Sequence, residues 1–200
     1  MSLRDIDKRI ATCTACRLHS TRTNTVPGEG NPAAGILVVG EGPGQNEDIQ
    51  GVPFVGAAGH LLDRLLEKAG VHGRKQYFIT NVVKCRPPGN RDPESDEIQA
   101  CAPFLQEQIG IIHPKVIVAV GKFAACNLTL KFGTMGSLLA MQGLFHQAHD
   151  GTHIPVIPIY HPSYLLRQGQ GKTPKAKALF ESTVDRLAQA RDLAHSRMGL

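Results

Sequence analysis

The chain has 200 residues, 42% of them apolar and 20% charged, which suffices for one sizeable core and predicts a single domain over residues 1–200. No run approaches the length of a membrane span, and residues 1–10 alternate charge without the apolar stretch of a secretion signal, so a cytoplasmic, non-membrane protein is expected. A net charge of +5 and a pI near 9.1 favour an anionic partner, whereas 5% aromatic residues and no tryptophan speak against single-strand reading by extensive stacking.

Cysteines come first in chain order. Cys13 and Cys16 form a C-x-x-C, Cys85 follows after 68 residues, and Cys101 after a further 15. In a reducing compartment such a pair plus two distant singles points to a metal centre rather than to disulfides. Four thiolates suit either a Cys₄ zinc site or an iron–sulfur cluster, and spacing alone does not choose between them. Cys126, in Ala124-Ala125-Cys126 on a predicted helix, reads as a small buried apolar residue.

Ile36-Leu37-Val38-Val39 predicts a buried strand, followed by the tight loop Gly40-Glu41-Gly42-Pro43-Gly44. That loop lacks the third glycine of a dinucleotide fingerprint and the Gly-Lys-Ser/Thr of a P-loop. Glu41, Glu47 and Asp48 beside it would repel phosphate and suit a polar neutral group or a developing cation. Leu61, Leu62, Leu65, Leu66 and Ala69 recur at helical spacing, with Gly70 as the stop. Residues 77–83 predict a second strand, and Asp92-Pro93 starts a helix running to about Ile109. Residues 115–120 predict a third strand, ended by Gly121, with a short helix over 122–131. Asp150-Gly151 reads as a two-residue type I′ turn between residues 144–149 and 153–160. Residues 169–174 form a polar break before a last helix from Lys175 to about Arg197. Strands alternating with helices predict a parallel sheet covered on both sides. Functional loops of such folds gather at the carboxyl ends of the strands, here residues 40–54, 81–91 and 160–167.

Four motifs in order carry a specific resemblance. They are Gly40-Glu41-Gly42-Pro43-Gly44, Gly51-Val52-Pro53-Phe54-Val55-Gly56, Thr80-Asn81-Val82-Val83-Lys84-Cys85-Arg86-Pro87-Pro88, and His161-Pro162-Ser163-Tyr164-Leu165-Leu166-Arg167. Together with the cysteines, from Cys13 to about Arg167, they resemble the family-four uracil-DNA glycosylases, the iron–sulfur branch of their superfamily. The resemblance implies a three-layer α/β/α fold with a central, mainly parallel four-stranded sheet. It implies a monomeric DNA-repair enzyme that flips uracil out of DNA and hydrolyses its N-glycosidic bond, leaving an abasic site. It also implies a [4Fe–4S] cluster on Cys13, Cys16, Cys85 and Cys101.

By the same resemblance Phe54 stacks on the flipped uracil, with Glu41 and Gly42 beside the base. Asn81 accepts from uracil N3–H and donates to O4, a polarity that cytosine reverses. His161 donates to O2 as negative charge builds there. Leu165, Leu166 or Arg167 enters the minor groove in place of the base. Read without the resemblance, Phe54 is a core aromatic, Asn81 a strand-end residue, His161 a loop residue and Leu165 ordinary helix packing.

The prototype branch of the superfamily holds the attacking water with a first-loop aspartate, and the matching position here is Gly42. Glu41, Glu47 and Asn90 are the candidates to hold that water instead, and the resemblance places Glu47 near uracil C5, where it would crowd the methyl group of thymine. Lys84, Arg86, Arg91, Arg167 and Lys172 lie on or near the site loops and suit phosphate contacts. A related branch traps DNA covalently through a histidine in an inserted loop. Arg86-Pro87-Pro88-Gly89-Asn90-Arg91 has neither histidine nor insertion, which favours turnover. A non-catalytic DNA-binding or electron-transfer module is the alternative of a different class, and the Asn81 and His161 pair argues against it.

Overall fold

A computed structural model describes residues 1–169 and 172–196; Gln170, Gly171 and the predicted helix end at Arg197 lie outside the described residues. Its strands are β1 (Glu29–Gly30), β2 (Ile36–Gly40), β3 (Phe78–Asn81), β4 (Val116–Val120), β5 (Phe145–Gln147) and β6 (His153–Ile159). They form one mixed sheet of six strands in the order β1-β3-β2-β4-β6-β5. The expectation of four strands is therefore corrected to six. β3, β2, β4 and β6 run parallel, and the edge strands β1 and β5 pair antiparallel. β1 is two residues long, too short to leave a period-two trace in the sequence.

The helices are α1 (Leu3–Ala11), α2 (Gln45–Gln50), α3 (Ala57–Lys68), α4 (Ser95–Ile112), α5 (Lys122–Thr129), α6 (Met135–Ala140), α7 (Pro162–Arg167) and α8 (Pro174–Ser196). No described helix is long and apolar enough to cross a membrane. Side chains alternate across each strand, so β2 and β4 bury both faces. Leu37, Val39, Ile117 and Ala119 pack with Ile6 and Ile10 of α1, Leu105 and Ile109 of α4, and Ala124 of α5. Ile36, Val38, Val116 and Val118 pack on the other face with Leu61 and Leu65 of α3 and Leu187 of α8. Each fully buried Leu or Ile in these layers stabilises the fold by about 1.5–3 kcal/mol.

Local chemistry explains where elements stop and start. Gly70, at φ 79°, closes α3 as predicted: its N–H donates to Glu67 O, and that of Val71 to Leu66 O. The helix predicted from Asp92-Pro93 starts later, at Ser95, and ends later, at Ile112. Glu94 and Glu97 make the cap there, with the Glu94 N–H donating to Glu97 Oε2 at 2.8 Å. The hairpin turn also differs from the two-residue type I′ expectation. Ala148 still pairs with Thr152, so the loop is His149-Asp150-Gly151, and only Gly151 takes a positive φ, 83°. A type I′ turn needs two positive φ values, whereas a three-residue loop needs one, at the glycine.

The chain passes from β2 to β3 on one side and returns to β4 on the other side of β2. That reversal opens a crevice beyond the carboxyl ends of β2 and β4, where ligands of open α/β sheets bind.

Candidate active site

A cleft of about 510 Å³ lies at those carboxyl ends, within the usual size of a small-molecule site. All four parallel strands feed it: Glu41 and Gly42 after β2, Asn81 at the end of β3, Gly121 after β4, and His161 after β6. Glu41, Gly42, Glu47, Phe54, Asn81, Asn90, His161 and Arg167, all named from the sequence, line this one cleft. Gly121, Lys122, Phe123 and Ser163 line it too and were missed. The signal was present: Gly121 ends a fully buried strand in the same way that Gly40 does.

Asn81 and Phe54 converge above Gly40. A Cβ on Gly40 would run into Asn81 Oδ1 and lie 2.5 Å from Phe54 Cζ, so only glycine fits beneath them. Asn81 is 1% exposed, and among the described residues its Oδ1 has no hydrogen-bond partner. Such an orphan acceptor costs about 1–3 kcal/mol until something donates to it. Its main chain is held by register with Gly40 and by Lys84 Nζ, which donates to Asn81 O at 2.6 Å.

Phe54 sits at φ 55°, a left-handed conformation unusual for a bulky residue, and is 8% exposed. Glu47 holds the strained loop: Oε1 accepts from Val55 N–H at 2.9 Å and Gly56 N–H at 2.8 Å, and Oε2 from Gly44 N–H at 3.1 Å. Arg74 Nη2 donates to Phe54 O at 3.3 Å. Glu47 thus faces the cleft with both oxygens engaged in fixing the loop that carries Phe54.

His161 caps α7. Its Nδ1 lies 2.7 Å from Ser163 Oγ and accepts from Ser163 N–H at 3.2 Å. A backbone N–H can only donate, so in the neutral ring the proton sits on Nε2. Burial, with the Arg167 guanidinium nearby, pushes the His161 pKa down to about 4, which keeps the ring neutral. The rings of Phe54 and His161 lie 6.4 Å apart between centroids.

Glu41 is pushed up to about 7, first by burial and then by Asp92. A side chain at Gly42 would bring its Cβ to 2.8 Å from Val83 Cγ2, so this cleft has little room for an acid there. Asn90, at φ 56°, is oriented by Arg86, whose Nε donates to Asn90 Oδ1 at 2.7 Å. That bond uses one lone pair of the amide oxygen, so Asn90 keeps a second lone pair and its Nδ2 donors for other partners.

Two expectations about DNA contacts are corrected. Leu165 is 2% exposed and packs in the core beside α3 and α8, which leaves it no free surface, whereas Arg167 is exposed on the same helix. Lys84 is 1% exposed and makes no surface for phosphate. Arg91 lines the cleft, its fork braced by Glu97 at 2.9 and 2.6 Å. Arg86 lies beside the cleft rather than in its lining.

Cys13, Cys16, Cys85 and Cys101 line a second, separate cavity with Ile10 and Phe104. Cys13 and Cys16 follow α1, Cys85 follows β3, and Cys101 lies on α4, so the cavity joins the N-terminal segment to the sheet. Arg22 Nη1 donates to Cys85 Sγ at 3.2 Å and to Cys13 O at 2.8 Å, and the Lys84 N–H donates to Cys101 Sγ at 3.3 Å. Among the described residues no three His, Cys, Asp or Glu side chains are grouped as a site for one metal ion. Burial pushes the Cys101 thiol up to about 11 and raises that of Cys85. Cys126 lies on α5, away from this lining.

Comparison with known proteins agrees with the geometry. The uracil DNA glycosylase superfamily profile matches residues 27–186. The chain belongs to that superfamily and, within it, to the type-4 uracil-DNA glycosylases. A type-4 uracil-DNA glycosylase of Sulfurisphaera tokodaii is 48% identical over 167 residues, covering 82% of this chain and 76% of that protein. One of Pyrobaculum aerophilum is 43% identical over 184 residues, covering 90% and 93%. A type-5 uracil-DNA glycosylase of Thermus thermophilus is 30% identical over 183 residues, covering 84% and 80%.

Proposed function

We propose that the chain is a DNA-repair hydrolase that extrudes uracil from DNA and cleaves the bond between uracil N1 and deoxyribose, leaving an abasic site. The single observation that carries this reading is the orphan Oδ1 of Asn81, held in the same cleft as the Phe54 ring and a neutral His161. Uracil stacks on Phe54, its N3–H fills the Asn81 acceptor, and the Asn81 amide donates to O4. Cytosine presents a lone pair at N3 and donors at C4, so it meets like against like.

As the glycosidic bond breaks, the sugar becomes oxocarbenium-like and charge builds on uracil O2. His161 Nε2–H is the donor for that charge, a role a neutral ring fills without giving up its proton. Glu47 holds the Phe54 loop against the base at C5. Asn90, oriented by Arg86, holds the attacking water, which donates to the second lone pair of Oδ1. Glu41 and Gly42 line the base, and a strong base is unnecessary when the leaving group departs early. Arg167 and Arg86 meet the DNA, with Arg167 presented where the base leaves the stack.

The four-cysteine cavity suits a [4Fe–4S] cluster: four soft donors surround one space, and two N–H groups already point at sulfur. The cluster would supply a covalent tie between the N-terminal segment, β3 and α4, its binding driving the protons off buried thiols.

Uracil release from a duplex containing one uracil tests the activity. Release of free uracil with an alkali-labile abasic site is expected. Stable DNA binding without release would overturn it in favour of a binding module, and a covalent DNA adduct in favour of trapping.

A further inference from the structure

We propose that Lys84 is a positioning residue that couples the four-cysteine centre to the base-reading Asn81, an inference that rests on the roles given above to Asn81 and the cysteines. The lysine is 1% exposed, and every donor of its ammonium group is used. Nζ donates to Thr80 Oγ1 at 2.7 Å, to Asn81 O at 2.6 Å and to Gln108 Oε1 at 2.8 Å. The acceptors are themselves oriented for this. Thr80 Oγ1 donates to Pro27 O at 2.7 Å and Gln108 Nε2 to the same oxygen at 2.8 Å, which leaves both oxygens facing Nζ. A neutral amine has two N–H groups and a lone pair, so three acceptors around Nζ select the ammonium.

None of the three acceptors is an anion. A buried cation without a counter-charge is costly, and the Asp7 carboxylate supplies one nearby. The other end of the residue reaches the cysteine cavity. Lys84 lines the cysteine cavity, precedes Cys85 in the chain, and donates its N–H to Cys101 Sγ at 3.3 Å. Lys84 thus joins the two sites through one residue: its backbone N–H holds a cysteine of the centre, and its side chain fixes the Asn81 carbonyl where β3 ends. The peptide plane after Asn81 sets the direction of its carboxamide, and small displacements of a positioned group cost rate steeply.

Lys84→Met and Thr80→Val, prepared as full chains beside the wild type, test this. The measurements are single-turnover uracil release per iron-loaded molecule, DNA affinity, iron content and the reduction potential of the centre. For Lys84→Met we expect a rate loss of about ten- to a hundredfold with little change in DNA affinity. Its potential should become more negative, because a cation beside the centre is gone. Thr80→Val keeps the charge and removes one brace, so a smaller rate loss with unchanged potential is expected. A loaded Lys84→Met chain with wild-type rate and potential overturns the proposal. If that variant does not fold, Thr80→Val decides, and a wild-type rate overturns it. A wild type that releases no uracil overturns the functional reading and this proposal with it, whereas an active wild type with indifferent variants removes only the role of Lys84.

Discussion

The backbone N–H of Ser163 donates to Nδ1 of His161 at 3.2 Å, and that one contact decides which ring nitrogen faces the cleft with a proton. Because O2 gains charge mainly in the transition state, His161→Ala should slow single-turnover release by about a hundred- to a thousandfold. Affinity for uracil-containing DNA should change far less. Ser163→Ala keeps the backbone donor and should lose much less rate. Affinity collapsing while the rate holds would make His161 a binding residue, leaving the anion to the N–H groups of the Gly40 loop.

In the proposed mechanism Asn81 reads the base only while nothing fills the space above Gly40. Asn81→Asp should cost most uracil release, since an ionised carboxylate repels O4, and any cytosine release should rise at lower pH. Gly40→Ala should cause a comparable loss with Asn81 intact, because its methyl would displace both Asn81 and Phe54. Comparison of uracil and cytosine substrates checks both, and full activity in Gly40→Ala would remove the tight convergence from the recognition argument.

The left-handed backbone of Phe54 separates ring from strain. Phe54→Ala and Phe54→Gly should both lose uracil release, because both lose the stacking face. Phe54→Gly should nevertheless be the more stable by about 1 kcal/mol, since glycine adopts φ 55° without a Cβ penalty. For a chain of this size that is about 2–4 °C in Tm. A lower Tm for the glycine variant would show that the loop does not hold this backbone in solution.

Burial raises the pKa of Glu41 from 4.5 to about 7, so the folded chain holds this proton more tightly than the unfolded one. The associated stability is fully present below the unfolded pKa and is lost as pH rises through about 7. Glu41→Gln carries no such loss. Its Tm relative to wild type should rise between pH 5 and pH 8, and thermal melts across that range with a constant difference would contradict the assignment.

The cysteines predict a brown protein with a visible thiolate-to-iron band. Cys85→Ser should lose the iron and destabilise the fold, since Cys85 ties the N-terminal segment to the end of β3. Cys126→Ser should retain full iron content. Stoichiometric zinc without sulfide in anaerobically purified protein would replace the cluster with a zinc site.

Much of this protein is legible in its residues taken in order. Period and punctuation locate β2, β4, α3 and the Gly70 stop, because each depends on neighbours a few positions away. The motifs around Gly40, Phe54, Asn81 and His161 mark strand ends and loops that line the cleft, and the cysteine spacing marks four residues that meet at one cavity. Other features depend on packing between distant segments, and only the tertiary structure decided them. The two-residue β1 exists because β3 supplies its partner. Leu165 and Arg167 stand two positions apart on α7, and which one is left exposed follows from where α3 and α8 pack. Lys84 looks from its neighbours like one more basic loop residue. Its burial between Thr80, Gln108 and the cysteines comes from bringing residues far apart in the chain onto one ammonium, and local pattern carries no trace of that.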